Sequence, residues 1–250
     1  MVEGPVLPGE GLEVIRRYVR ALSSDRPWVI LKWAMSIDGR ISPASGKGGA
    51  ISGDRALGET HELRGRCDAV AVGAGTVEVD DPLLTCRITG GPPDGRPQPL
   101  RVVFDSGLRI RRESRLVRDA RNSPVLVVCA RAEPGRRNAL ESAGVEVLVA
   151  EGLDGRVDIG YAIRALKARG IHRMLVEGGA TTHGAFLRAG LADQVTAVVT
   201  PIVLGGDDAV PAVRGTGFGS IAVAPRLEEV SWRKVGDDLV LHGYVAGAAP

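Results

Sequence analysis

The amino-acid sequence predicts an α/β protein, a mostly parallel central sheet flanked by helices with an antiparallel C-terminal hairpin. Three observations carry that expectation. Short apolar runs such as AVAVG (69–73) and LRVVF (100–104) alternate with stretches of helical periodicity, the signature of strands buried on both faces. Residues 171–190 pass from an apolar run at Met174 through Glu177, Gly178 and Gly179 straight into a helix start at Ala180, Thr181 and Thr182. Two extended runs, 227–235 and 238–245, are joined by Gly236-Asp237, a hairpin signal.

Taken in order, residues 11–22 place Leu12, Ile15, Val19 and Leu22 at helical spacing, and 1–25 form a helical extension ahead of the main domain, 26–250. Residues 28–34 form a first strand, followed by a glycine-rich loop at 45–49. That loop fails as a P-loop, because Gly46-Lys47 is followed by Gly48 in place of Ser or Thr. A mobile loop over a substrate fits it better. Residues 52–66 read as a helix on which His61 is a surface or packing residue. After the strand at 69–73, Gly73-x-Gly75 suggests a dinucleotide fingerprint, but its third glycine falls on Glu78. Residues 90–99 are an exposed loop, and the arginines at 109, 111, 112, 115 and 118 a solvated one. Strands at 124–129 and 145–149 alternate with a helix near 135–143. A helix at 159–169 buries Ile159, Ala162, Ile163 and Leu166 and closes at Gly170. An extended run then spans 194–204.

The junction at 177–182 has a chemical reading. Glycines let a phosphate approach the backbone, and the threonines either cap the helix or donate to phosphate oxygens. By itself it is equally an ordinary strand–helix turn. Small or polar residues also follow the strands at Ala34, at Gly73 to Thr76 and at Asp105-Ser106. In parallel sheets ligands bind beyond the carboxyl ends of strands, so four such ends suggest one shared cleft.

Composition narrows the classes. Thirty-two basic against 30 acidic residues and 4% aromatic content argue against nucleic-acid binding. No apolar run approaches membrane-spanning length and no signal-peptide pattern opens the chain, so no membrane partner and a cytoplasmic location are expected. Cys67, Cys86 and Cys129 are widely spaced and lack C-x-x-C spacing. With four scattered histidines they predict reduced thiols and no metal site.

The combination of KWAMSIDGR (32–40), GAGTVEVDDPLLTCR (73–87), RVVFDS (101–106), VEGGAT (176–181), TPIVLGG (200–206) and GTGF (215–218) resembles the pyrimidine reductases of riboflavin biosynthesis. The resemblance covers roughly 26–245 and implies a dihydrofolate-reductase-like reductase domain. In bacteria this domain is often fused behind a pyrimidine deaminase. The deaminase signature, H-x-E with a later P-C-x-x-C, does not occur here, so the chain looks like a free-standing reductase.

That resemblance implies NADPH as cofactor and a phosphoribosylamino-pyrimidine as substrate, its ribose opened and reduced at C1′, most simply through the open-chain imine. It places cofactor contacts on Ala34, Thr76, Asp80, Ser106, Gly178, Gly179, Ala180, Thr181 and Thr182. Substrate contacts fall on Arg64, Leu84, Arg87 and Glu177. Two arginine forks suit a sugar phosphate, and Arg109 is placed to meet a 2′-phosphate. Lys32 is the candidate acid, with a snorkelling strand lysine as its alternative; Asp38 is a second catalytic candidate or orients a loop. Gly49-Ala50 stands where bacterial bifunctional members tend to carry an aromatic. A homodimer is expected. The base is either the deaminated uracil or the earlier diaminopyrimidinone. A dihydrofolate-type reductase and a silent nucleotide-binding module remain as competing readings.

Overall fold

The computed structural model describes Ile15, Val19, residues 23–43 and residues 49–247. The helix expected over 11–22 falls outside the described residues except at Ile15 and Val19, and the loop 45–49 except at Gly49.

Among the described residues, nine strands form one sheet in the order β10-β11-β8-β1-β7-β3-β4-β5-β6. They are β1 (Trp28–Ser36), β3 (Ala69–Gly73), β4 (Leu100–Phe104), β5 (Val125–Cys129), β6 (Glu146–Val149), β7 (Arg173–Gly178), β8 (Gln194–Thr200), β10 (Leu227–Val235) and β11 (Asp238–Val245). From β8 to β6 every neighbouring pair is parallel, and β11 and β10 add antiparallel strands at one edge. A separate two-stranded ribbon pairs β2 (Arg40–Ser42) with β9 (Val210–Pro211).

The parallel strands read as continuous apolar runs because both sheet faces are covered. Alternate residues divide between two cores. One holds Trp28, Ile30, Val70, Val72, Val103, Val127 and Leu175. The other holds Val29, Leu31, Ala71, Val102, Leu126, Met174 and Val176. Helices α5 (Ile159–Ala168) and α6 (Ala180–Arg188) cover the second face through Ile163, Leu166 and Phe186. On the first face lie α3 (Arg115–Arg118) and α4 (Pro134–Ser142), through Leu116 and Leu140. There α1 (Asp54–Gly65) also packs through Leu63, while its Ala56 meets Val198 and Val240. Helix starts match their sequence signals: Glu133 caps α4 ahead of Pro134, and Asp158 caps α5 by accepting from the Tyr161 N–H.

Two departures from the sequence pattern have simple causes. The run expected over 194–204 ends as a strand at Thr200, where Pro201 has no N–H for the ladder. Residues 74–80, for which periodicity predicts no element, form α2 (Ala74–Asp80), which stops at Asp81 in the left-handed region with φ 39° just before Pro82.

Two buried arginines fasten the frame. Arg26 forks onto Asp193 at 2.6 and 2.8 Å, and Asp193 also accepts the Val29 N–H at 2.7 Å, locking the starts of β1 and β8 together. Arg101, fully buried on β4, reaches Asp119 at 2.9 Å and the Leu83 carbonyl at 3.2 Å. It thereby anchors the irregular stretch 83–87.

Candidate active site

The sheet order sets β1, β7, β3 and β4 side by side, so the four strand ends singled out by sequence are consecutive. Beyond three of them, β3, β4 and β7, lies a cleft of about 670 Å³. Its walls are residues 73–76 with Asp80, Ser106 with Arg109, and residues 179–182.

Glycine makes this cleft possible. A Cβ on Gly73 would stand 2.5 Å from the Thr182 hydroxyl oxygen, and one on Gly178 3.1 Å from that of Thr76. The β3–α2 and β7–α6 turns are therefore packed together through two threonines. Gly179, at φ +72°, is the N-cap of α6 and supplies no side-chain cap. The first-turn N–H groups of α6 are thus left for an outside acceptor. Thr181 and Thr182 do not cap the helix.

Ser106 is half-buried at the end of β4, and its hydroxyl accepts the Val157 N–H at 3.2 Å. That bond draws the segment before α5 to the cleft, so Arg156, Val157 and Ile159 line it too. Sequence reasoning missed Arg156, because a cap at Asp158 reveals a helix start but not what the preceding loop faces. It also missed Arg214, whose N–H donates to the Ala180 carbonyl at 2.9 Å. A Cβ on Gly184 would lie 1.9 Å from the Arg214 carbonyl oxygen, so that crossing needs the glycine. Arg109, read in one sense as part of a solvated loop, lies within 3.8 Å of Glu78 and 3.7 Å of Asp105 on the cleft wall. Ala34 is not among the residues lining this cleft; it pairs with Val198 on β8 and packs near Ala56.

A second group of side chains gathers on the α1 side of the sheet. Arg64 donates from Nε and Nη2 to the two Glu177 oxygens, each at 2.6 Å, and from Nη1 to the Thr85 carbonyl at 3.0 Å. The fork expected to face a sugar phosphate is turned onto Glu177. Burial alone would raise the Glu177 carboxyl, yet the Arg64 charge and hydrogen bonds, helped by Lys32 and His61, hold it below the usual range. Lys32 is pushed down by burial, partly countered by Glu177, and Arg64 pushes it further down. This brings an ammonium toward the range useful to an acid.

His61 is a buried packing residue whose Nδ1 accepts the Arg87 N–H at 3.2 Å. Burial, then the charges of Arg64 and Arg87, keep its imidazole below its ordinary value. With its backbone held, Arg87 carries an exposed guanidinium close enough to Arg64 and Arg115 to be lowered by both, after the effect of burial. Arg115 is the third cation of this group, and its N–H is fixed by Asp81 at 2.8 Å. Leu84 buries its side chain in the core and holds φ +56°, a left-handed conformation costing a leucine about 1 kcal/mol. Only its main chain remains available to a ligand.

Asp38 is not a candidate acid. Its carboxylate accepts the Leu204 and Gly205 N–H groups at 3.1 and 2.8 Å. The Ser36 hydroxyl and those two amides hold it at about 2, so it has no proton to give at neutral pH. It tethers the 204–205 turn, the orienting alternative raised for it above. Among the described residues no cluster of His, Cys, Asp or Glu could hold a metal ion, and no helix is long and apolar enough to cross a membrane.

Parallel strands, two glycine turns locked together beside a cleft of about 670 Å³, and a buried acid–arginine pair near it describe a dihydrofolate-reductase-like reductase, a class whose fold implies a nicotinamide cofactor. The chain matches over residues 27–241 the family described as RibD C-terminal domain, and it belongs to that family, the pyrimidine reductases of riboflavin biosynthesis. It is 39% identical to the 2,5-diamino-6-ribosylamino-4(3H)-pyrimidinone 5′-phosphate reductase of Methanothermobacter thermautotrophicus, over 89% of this chain and 100% of that one. It is 30% identical to the riboflavin biosynthesis protein RibD of Bacillus amyloliquefaciens, over 96% of this chain but 63% of the relative. The solved RibD of Acinetobacter baumannii superposes with a TM-score of 0.79 at 27% identity, covering 94% of this chain and 62% of that one.

Proposed function

We propose that this chain reduces the ribosyl side chain of a phosphoribosylamino-pyrimidine to ribityl, with NADPH as the hydride source. The observation that carries the proposal is continuity along one strand end. Glu177, joined to Arg64 and sensed by Lys32, is followed by Gly178 and then by Gly179, which lines the cofactor cleft. Substrate and cofactor are thereby held by adjacent residues of one rigid element, which limits misalignment of the reacting atoms.

Each residue has a task in this reading. The α6 N-terminus and the glycine turn take the pyrophosphate. Arg109 and Arg156, near Ser106 at the far side of the cleft, favour the 2′-phosphate of NADPH over NADH. Thr76, Asp80 and the remaining residues of 178–182 hold the cofactor, while Ala34 borders the substrate side. Glu177 accepts from the pyrimidine N–H groups or ribose hydroxyls, Leu84 offers its main chain, and Arg87 with Arg115 meets the 5′-phosphate. Lys32 supplies a proton as a reduced nicotinamide supplies hydride to C1′.

Both bases fit the same chemistry. The relative named for the diaminopyrimidinone is matched over its whole length, which favours that substrate over the deaminated uracil. The Arg87–Arg115 cations favour either over a pterin. Steady-state NADPH oxidation with each pyrimidine, repeated with NADH and with dihydrofolate, tests this. Turnover with the diaminopyrimidinone and NADPH should be fastest. Tight NADPH binding with turnover of neither pyrimidine would leave the silent nucleotide-binding module.

In the same assay Arg87→Ala should raise KM for the phosphorylated substrate about tenfold or more, the worth of a charged hydrogen bond, with NADPH affinity near wild type. Equal loss of both affinities would show that Arg87 does not face the phosphate.

A further inference from the structure

Residues 209–218 form a strap laid along α6 from its first turn to its last. At the start of the helix the Arg214 N–H donates to the Ala180 carbonyl at 2.9 Å. In the middle, Gly184 has no side chain to hold off the Arg214 carbonyl. At the end, Arg188 donates from Nη1 to the Gly217 carbonyl at 3.4 Å, its guanidinium 5.8 Å from the Phe218 ring centre. The strap is also held by β2 and the residue before it. Arg40 Nη1 donates to the Ala209 carbonyl at 3.2 Å, and the Ala212 N–H to the Gly39 carbonyl at 3.1 Å. From this strap Val210 and Arg214 join the wall of the cofactor cleft, where Ala180 and Thr181 also stand.

A titratable side chain that the reaction above does not use joins the strap to the sheet. His183 stands on α6 between Thr182 and residue 184, one turn from Ala180, and its ring is fully buried. It lies against the Trp33 ring of β1, with centroids 5.3 Å apart. Nδ1 is 3.2 Å from the Ala212 carbonyl oxygen of the strap, and Nε2 is 3.4 Å from the Val176 carbonyl oxygen of β7. Burial works against the cation, the two carbonyls favour it, and the balance holds the imidazole below its ordinary value. An uncharged ring has one N–H for two carbonyls. The Nε2 contact, at 3.4 Å, is longer than the roughly 2.7–3.2 Å of an N–H···O bond, so the geometry puts the proton on Nδ1.

We propose that His183 is a positioning residue for the cofactor: its Nδ1–H, given to the Ala212 carbonyl, holds the strap where Val210 and Arg214 complete the cleft wall. The inference rests on the NADPH reading above. Ala212 lies midway between those two cleft residues, so losing its bond to α6 shifts both. A Cβ on Gly184 would stand 1.9 Å from the Arg214 carbonyl oxygen, so the strap is seated as deep as a glycine allows and can relax only outward. Without His183 the Ala212 carbonyl loses its donor on α6 in a buried setting, which costs more than the bond itself contributes. The pyrimidine side is spared, because Arg64 holds the Glu177 carboxylate and His183 does not.

The amide of asparagine places a donor near where Nδ1 stands in histidine, and that of glutamine near where Nε2 stands, so two variants separate the two contacts. His183→Gln should weaken NADPH binding about tenfold in calorimetric titration, the scale of a buried acceptor left unpaired, with KM for the pyrimidine within about twofold of wild type. His183→Asn should restore most of that affinity. Gly184→Ala, which forces the strap off α6 with the His183 ring intact, should weaken NADPH binding to a similar degree. In the wild type, long-range proton–nitrogen NMR of the ring, assigned from its proximity to Trp33, should show a proton on Nδ1. The last two measurements decide the matter even where a His183 variant fails to fold. A ring protonated only on Nε2, equal NADPH affinity in the Asn and Gln variants, or wild-type affinity in Gly184→Ala would each overturn the proposal. So would a rise in pyrimidine KM that matches the loss of NADPH affinity. A wild-type chain that binds no NADPH would overturn the cofactor reading, and the positioning role with it; a wild type that binds NADPH confines any failure to His183.

Discussion

Replacing Glu177 by Gln is expected to lower kcat/KM for the pyrimidine substrate by at least about 100-fold and to destabilise the fold by roughly 3 kcal/mol. Both effects come from one pair. Glu177 and Arg64 meet through two 2.6 Å contacts with side chains only 8% and 10% exposed. The neutral amide leaves a buried guanidinium without its counter-charge, and that residual charge dominates the cost. Activity falls because Lys32 loses the carboxylate that partly offsets its burial. A control separates the two effects. In an Arg64→Met/Glu177→Leu double variant no guanidinium is left buried without its carboxylate, so most of the lost stability should return while activity stays lost.

The same pair sets an acid dependence. The folded Glu177 carboxyl lies below its usual 4.5, so its contribution to stability is full above that value. It is lost as the pH falls through the lower folded value, and Glu177→Gln should lack this limb in acid unfolding followed by circular dichroism. Wild-type stability and turnover in Glu177→Gln would remove the pair from both roles.

Gly179→Val carries the second largest effect, a loss of NADPH affinity on the order of 100-fold while the sheet still folds. At φ +72° a β-branched residue is strained by about 1–2 kcal/mol, and its Cβ would crowd the Thr182 hydroxyl at 3.2 Å. The turn must then open, and the α6 N–H groups leave the cleft wall. Calorimetric titration with NADPH gives the answer directly. Binding close to wild type would mean that the pyrophosphate does not use this turn.

The core and the cofactor side were legible to different depths. Strands 69–73 and 100–104 and the hairpin pair appear where their patterns place them, because burial on both faces leaves a local trace in composition. The glycines at 178 and 179 were likewise readable, since a strand running into a helix through a glycine pair is contained in consecutive residues. Asp38 was open to two readings because a carboxylate after a strand looks the same whether it meets a substrate or the amides of residues 204 and 205. Arg64 looked like a phosphate ligand until β7 brought Glu177 against it from 113 positions away.

Sequence alone determined the α/β class, the order of the main elements and the residues able to carry the chemistry, because helical and strand periodicities are local. Tertiary structure decided which of those residues meet. The order β1-β7-β3-β4 puts two glycine turns in contact and sets Arg156 and Arg214 on the walls of the cleft. Those neighbours follow from how parallel strands are shuffled in space, and no short-range pattern in a chain records that.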